Sequence, residues 1–273
     1  MIRLESDSGW WLITHPDHAQ LAGTFAASWG NLQFLKPEPR ERVLYAIASH
    51  DDGWVDRDAH PTITRQGKPS AFSTNLVGKY AAFEEMDLEE YLGVRERTVR
   101  IIAEADPYAG LLVSMHTYNL LTERVNPASI SRANMLILEA FLSRQRSYQS
   151  ELDARIAADR ALTPEEKSGE RILQHFRLLQ ACDYLALLSC VAYTKPSHLL
   201  HPLPLNDGSS KEVQVTPLAA RHFHLSPWPF MEKELIFMVP ARHVARKFFA
   251  NSDQLQAAFS EATVKTLAVT LVK

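Results

Sequence analysis

Five side chains of metal-ligand type stand in apolar helical sequence: His18, His50, Asp51, His116 and Asp183. His50 and Asp51 end the run VLYAIAS, where Val43, Leu44, Ile47 and Ala48 repeat at helical spacing and mark one face as core. Ionisable groups at the buried end of a core helix are normally paired or bound to a metal. A neighbouring His and Asp offer one neutral nitrogen and one anionic oxygen, a mixed donor set that suits Zn, Fe or Mn. Asp183 lies in LLQACDYLALLSC, where an unpartnered carboxylate inside a packed bundle costs several kcal/mol. His116, in LLVSMHTYNLL, carries the same argument with less force, because a neutral imidazole is cheaper to bury. Helical bundles build metal sites in this way, from inward side chains on facing helices.

Each residue also has a plainer use. His15 and His18 follow a Thr-Pro helix start and could decorate its first turn. His50, Asp51 and Asp52 could form a solvated helix end, although the helix dipole disfavours anions there without a nearby cation. His116 could be a hydrogen-bonded core histidine, and Asp183 could pair with Arg171 or Arg177. The coincidence of ligand type with four apolar helices favours the joint reading, a site for one or two divalent transition ions (Fe, Mn, Zn or Ni). His15 and His60 are the further nitrogens that a second ion would use. Asp52, beside the site, is a candidate general base or an orienter of a ligand histidine. Arg57, Lys68 and Lys79, in or just after the polar stretch VDRDAHPTITRQGKPSAFSTN, are candidates to hold an anionic substrate, or are solvated loop charge. Trp54 could wall the pocket or fill the core. Cys182 is a poor nucleophile, since the adjacent Asp183 and apolar surroundings both disfavour the thiolate.

The elements that must position these residues follow from periodicity. Two short strands separated by a Ser8-Gly9 turn open the chain. The first helix is capped by Thr14, with Pro16 in its first turn and an apolar face of Leu21, Ala22, Phe25, Ala26 and Trp29. A second runs from Arg40 to Gly53, with Gly53 as its left-handed stop. Helical pattern returns over 76–91, 95–105 and 109–125, and Ile130–Leu162 reads as a long surface helix. Thr163-Pro164-Glu165-Glu166 is a capping-box start for a helix that runs to about Tyr193. Its second half is apolar almost all round and therefore central. Beyond Pro196, prolines punctuate alternating segments (EVQVTPL, ARHFHLSP, KELIFMVPA, KTLAVTLVK) that read as strands, with a helix over Val244–Ala262. The expected fold is mainly α. It is a helical core over residues 1–200 with short N-terminal strands, and a small antiparallel β-rich extension over 201–273 packed on it, as a second unit or as part of one domain.

A histidine opening an alanine-rich helix (HAQLA), a His-Asp ending an apolar helix, and a distant Asp in CDYLALL resemble the HD-domain superfamily, whose metal-dependent phosphohydrolases use the order H…HD…D on an all-α core. The resemblance spans roughly Leu12 to Tyr193. The words THPDHA and HDDGW are more like an uncharacterised bacterial branch of it. The resemblance implies that His18, His50, Asp51 and Asp183 are metal ligands and that His116 matches the histidine added for a second metal. It implies hydrolysis of a small anionic molecule, with a phosphorylated one as the narrower case, by a metal-activated water. An HD-type di-iron oxygenase and a non-catalytic metal-binding or interaction protein are the alternatives. Many hydrolase members continue His-Asp with an apolar residue, Gly and Lys. Here Asp52, Gly53 and Trp54 follow, without the lysine.

Composition bounds the rest. The chain has 273 residues, 46% hydrophobic and 22% charged, with net charge −3. A chain of this size buries roughly three quarters of its unfolded surface, so it needs no disulfide staple. The charge offers no footprint for nucleic acid or an anionic membrane. Cys182 and Cys190 lie about 12 Å apart along one helix, too far to bridge, and free core thiols fit a reducing cytoplasm. Acids precede the first apolar run, unlike a secretory signal, and no apolar stretch approaches the roughly 20 residues of a membrane span.

Overall fold

The sheet begins at the N-terminus. In the computed structural model, which describes residues 1–77, 87–123 and 130–273, β1 (Ile2–Glu5) and β2 (Trp10–Ile13) form a hairpin with Ile2 opposite Ile13 and Glu5 opposite Trp10. Thr14 caps α1 (His15–Ser28), its hydroxyl accepting from the Asp17 amide. Then come α2 (Arg40–Ser49), α3 (Val55–Ala59), α4 (Leu88–Ala105), α5 (Pro107–Thr122), α6 (Arg132–Ala158) and α7 (Gly169–Cys190). The rest of the chain forms β3 (Ser197–His198), β4 (Leu203–Pro204), β5 (Ser210–Lys211), β6 (Gln214–Ala219), β7 (His222–Ser226), β8 (Glu234–Val244), α8 (Ser252–Glu261) and β9 (Val264–Val272).

Seven strands share one sheet in the order β1-β2-β8-β9-β7-β6-β3, and β4 and β5 pair separately. The β7–β9 pair is parallel and the other pairs are antiparallel, so the sheet is mixed. This overturns the mainly α, all-α expectation with a small antiparallel extension: the fold is α/β. Alternation located the strands but not their partners. The N-terminal hairpin joins the C-terminal strands through β2 and β8, with Trp10 opposite Val244 and Leu12 opposite Arg242. Gly9 permits this, because a side chain there would run into the Val244 carbonyl.

The largest apolar cluster among the described residues joins helices to the sheet and draws on both sides of position 200. Ile13, Phe25, Ile47, Leu112 and Leu185 share it with Phe223, Val239 and Leu271. Phe25 of α1 meets Phe237 of β8 edge-on at 4.8 Å, and Trp29 meets Phe230 at 5.6 Å. α7 is buried almost all round through its second half and is central, as its composition predicts.

Local helix signals were right in kind and wrong in extent. Thr163 and Glu166 do form a reciprocal capping pair (2.7 and 3.3 Å), but it closes a single turn, and α7 starts at Gly169 behind its own cap, Ser168. α4 starts at Leu88 behind the Asp87 cap, and most of the helical pattern expected over 76–91 lies outside the described residues. β8 runs to Val244, which shortens the helix expected over Val244–Ala262 to α8. Among the described residues no helix is long and apolar enough to cross a membrane.

The core that helices and sheet share has a measurable consequence. Phe25 is fully buried where α1 meets β8. Phe25→Ala is expected to destabilise the protein by about 3–5 kcal/mol. In urea unfolding of this variant, far-UV and tryptophan signals should shift together. A shift confined to one signal would show that helices and sheet do not share a core.

Candidate metal centre

Four helices deliver the cluster. Thr14 and Pro16 start α1 so that His18 enters the interior from its first turn, 1% exposed. α2 buries Val43, Ala46 and Ile47, and His50 caps its C-terminus. The His50 Nδ1–H donates to the Ile47 carbonyl at 2.8 Å, which fixes the tautomer and turns Nε2 inward. Asp51 follows in the bridge region of backbone space (φ −120°, ψ 15°), and a 3-10 turn over Asp52–Trp54 leads into α3. His116 and Asp183 project from the middles of α5 and α7.

Asp183 is the hub. Its Oδ1 accepts from His18 Nε2 at 2.8 Å and lies 3.4 Å from His50 Nε2, and its Oδ2 lies 3.8 Å from His116 Nε2. Asp51 Oδ2 lies 3.6 Å from His50 Nε2, and Asp51 Oδ1 accepts from Arg95 Nη1 at 2.7 Å. One ligand atom from each of His18, His50 and Asp51 falls within 4.8 Å of the others, and the same holds for His50, His116 and Asp183. His50 Nε2, His116 Nδ1 and His18 Nδ1 are buried and have no hydrogen-bond partner among the described residues. Buried polar atoms without partners are uncommon in folded proteins. Inward nitrogens and carboxylate oxygens at this spacing could hold a metal ion.

The charges explain the titration of the cluster. Burial opposes ionisation of Asp183, but the hydrogen bond from His18 and the nearby positive charge of His50 hold it well below the usual carboxylate range. Burial also opposes ionisation of Asp51, and Arg95 and His50 outweigh it in the same direction. Burial alone would lower His50, yet the Asp51 and Asp183 carboxylates push it up to about 9. His116 goes the other way. Burial, helped by the charges of His50 and Arg95, takes it down to about 3 against the pull of Asp183.

The other candidates lie elsewhere. His15 Nδ1 is 2.6 Å from the Met1 amino group and 3.0 Å from Asp58 Oδ2, and its ring stacks on Trp54 at 4.2 Å. His60 is exposed and bonds the Asp56 carbonyl at 3.0 Å. Asp52 is half-buried beside Ser49, and burial raises its carboxyl above the ordinary value. Arg57 pairs with Glu90 at 3.0 Å, and Lys68 sits over the Trp10 and Phe248 rings. Lys79 lies outside the described residues. Arg171 pairs with Glu165 and not with Asp183. Trp54 is buried core, 4% exposed. Gly53 is no left-handed stop. A Cβ there would sit 2.1 Å from Thr98 Oγ1 and 2.8 Å from the Val94 carbonyl, so glycine is required by the close approach of α4.

Arg95 went unnoticed in the sequence. The available signal was an arginine at helical spacing from Tyr91, Thr98 and Ile102 on what becomes the buried face of α4.

The chain belongs to the DUF3891 family. That family, described as a protein of unknown function, matches residues 1–246, which include all five residues of the cluster. No curated protein and no solved structure matches the chain. The matched stretch ends before α8 and β9.

The two histidine shifts predict the pH profile of chelator-treated protein. The folded-state value of His50 lies above the ordinary 6.5, so its contribution is full below 6.5 and is lost as pH rises toward about 9. His116 lies below 6.5, so the folded state resists a proton that the unfolded chain accepts, and stability falls as pH drops from 6.5 toward about 3. The melting temperature should therefore peak near pH 6.5, with the alkaline fall reduced in His50→Gln. An equal alkaline fall in His50→Gln would remove His50 as its source.

Proposed function

We propose that the chain is a metal-dependent hydrolase of the HD type, acting on a small anionic substrate at the His18, His50, Asp51, His116 and Asp183 cluster. The observation that carries this reading is the charge balance around Asp183 and Asp51. Two buried carboxylates face one buried guanidinium, Arg95, and the histidines bind metal as neutral imidazoles. Adding a divalent ion to that set leaves one positive charge, which favours an anion in the open position. Such an ion makes water a usable nucleophile near neutral pH and polarises a phosphoryl oxygen.

The chain's own residues have separable tasks in this reading. His18 from the first turn of α1, His50 from the end of α2, and His116 and Asp183 from the middles of α5 and α7 present buried donors that packing fixes. Asp51 offers its free oxygen Oδ2 beside His50. The proton that the two carboxylates hold on His50, against its burial, must leave when the site fills, so uptake improves as pH rises. Affinity for an anion comes from the centre itself, since Arg57 and Lys68 are engaged elsewhere. The order of donors along the chain, H…HD…D, is the sequence feature from which this reading starts, and the all-α core that the resemblance implies is not the fold of this chain.

Elemental analysis of protein purified without chelator tests this directly. About one or two Mn, Zn, Fe or Ni ions per chain are expected. Asp183→Asn and Asp51→Ala should retain helical circular dichroism and lose most of the metal. Metal-loaded wild type should hydrolyse members of a phosphomonoester panel, and both variants should fail to. Full metal content in either variant sinks the site assignment. Two irons per chain with visible absorption and no hydrolysis would replace the hydrolase by the oxygenase.

A further inference from the structure

α4 supplies no donor to the cluster, yet it grips the His-Asp turn on both sides. Thr98 Oγ1 accepts from the Gly53 amide at 3.2 Å while donating to the Val94 carbonyl at 3.0 Å. Three positions earlier on the helix, Arg95 is 7% exposed and reaches Asp51 Oδ1 at 2.7 Å. Its Nε–H donates to the Tyr91 hydroxyl at 3.1 Å, and its guanidinium lies 5.4 Å from the Trp54 ring centre and 5.2 Å from that of Tyr91. The guanidinium is therefore held by its own surroundings and not only by the carboxylate.

Arginine–carboxylate pairs are frequently two-pronged, the guanidinium fork taking both oxygens of the acid. Arg95 takes one. The other, Oδ2, is turned to His50 Nε2 at 3.6 Å. We infer that Arg95 is a positioning residue that confines Asp51 to single-oxygen ligation and so sets which ions the centre accepts. The inference rests on the metal reading above. Its chemistry is a matter of donor count. Large hard cations such as Ca²⁺ fill six to eight positions and draw on two-oxygen carboxylates. With Oδ1 committed to Arg95, that donor is withdrawn. Mn²⁺ and Zn²⁺, satisfied by imidazole nitrogens and single oxygens, lose nothing.

The test titrates chelator-stripped wild type, R95Q and R95K with Mn²⁺, followed by the electron paramagnetic resonance of free ion, with Ca²⁺ as competitor and Co²⁺ spectra in parallel. Wild type should bind Mn²⁺ and ignore Ca²⁺. R95Q should lose about ten- to a hundredfold in Mn²⁺ affinity, the usual effect of removing a ligand's outer partner. It should also become open to Ca²⁺ competition and change its Co²⁺ spectrum as Asp51 gains a second coordinating oxygen. R95K, which keeps a cation for Oδ1, should recover wild-type selectivity and spectrum. A folded R95Q with unchanged affinity, selectivity and spectrum overturns the inference and leaves the metal reading standing. Should R95Q not fold, wild type decides: Ca²⁺ bound as tightly as Mn²⁺ overturns the inference by itself. A wild type that takes up no ion overturns both.

Discussion

A carboxylate sits in the middle of α7, among Leu179, Cys182 and Ala186, and much of the helical packing answers to it. An ionised group there is untenable without partners. The partners come from three other places: His18 from the start of α1, His50 from the end of α2, His116 from the middle of α5. Each must be buried to reach Asp183, and each is, at 1 to 2% exposure. The relative placement of four helices is thus tied to one charge. Burial, helped by the same charge, pushes the neighbouring Cys182 thiol up and keeps it inert.

The opposite behaviour of His50 and His116 follows from small differences in company. Their ring centres are 5.3 Å apart and both are buried. His50 has two carboxylates within ion-pair distance, Asp51 and Asp183. Among the described residues His116 has Asp183 alone within ion-pair distance, at 3.8 Å, and burial, with repulsion from His50 and Arg95, keeps it neutral. Two acids against one arginine leave room for one proton, and it settles where the field is strongest. That arithmetic makes the interior tolerable without an ion and also marks the place where a dication would displace a proton.

The residues of the cluster were legible because the signal is local. A charge or an imidazole inside an apolar helical run stands out without knowing what it faces. The positions of the strands were legible for the same reason, through alternation. What the chain could not disclose is pairing across distance. Arg95 looks like a surface arginine until its partner, 44 residues away, is brought to it. Gly53 looks like a helix stop until the α4 backbone is seen beside it. Thr163 and Glu166 form their capping pair and still do not open a helix, because Ser168 caps α7 within the next turn. The sheet was misjudged as a small appendage because β2 and β8 are strands that the sequence places more than two hundred residues apart.

That long pairing bears on the centre itself. β2 runs into α1 with only Thr14 between them, so the N-terminal part of the sheet sets where His18 enters. α7, with Asp183, runs out toward β3, β6 and β7 at the other edge. Within the sheet these two parts, β1-β2-β8 and β7-β6-β3, meet through β9, antiparallel to β8 and parallel to β7. β9 also brings Leu267, Val269 and Leu271 into the shared core beneath α1 and α7. A strand outside the stretch that the family matches therefore joins the two supports of the His18–Asp183 contact. The donors lie on helices that pack directly on one another, and the sheet ties together the strands from which α1 departs and toward which α7 runs.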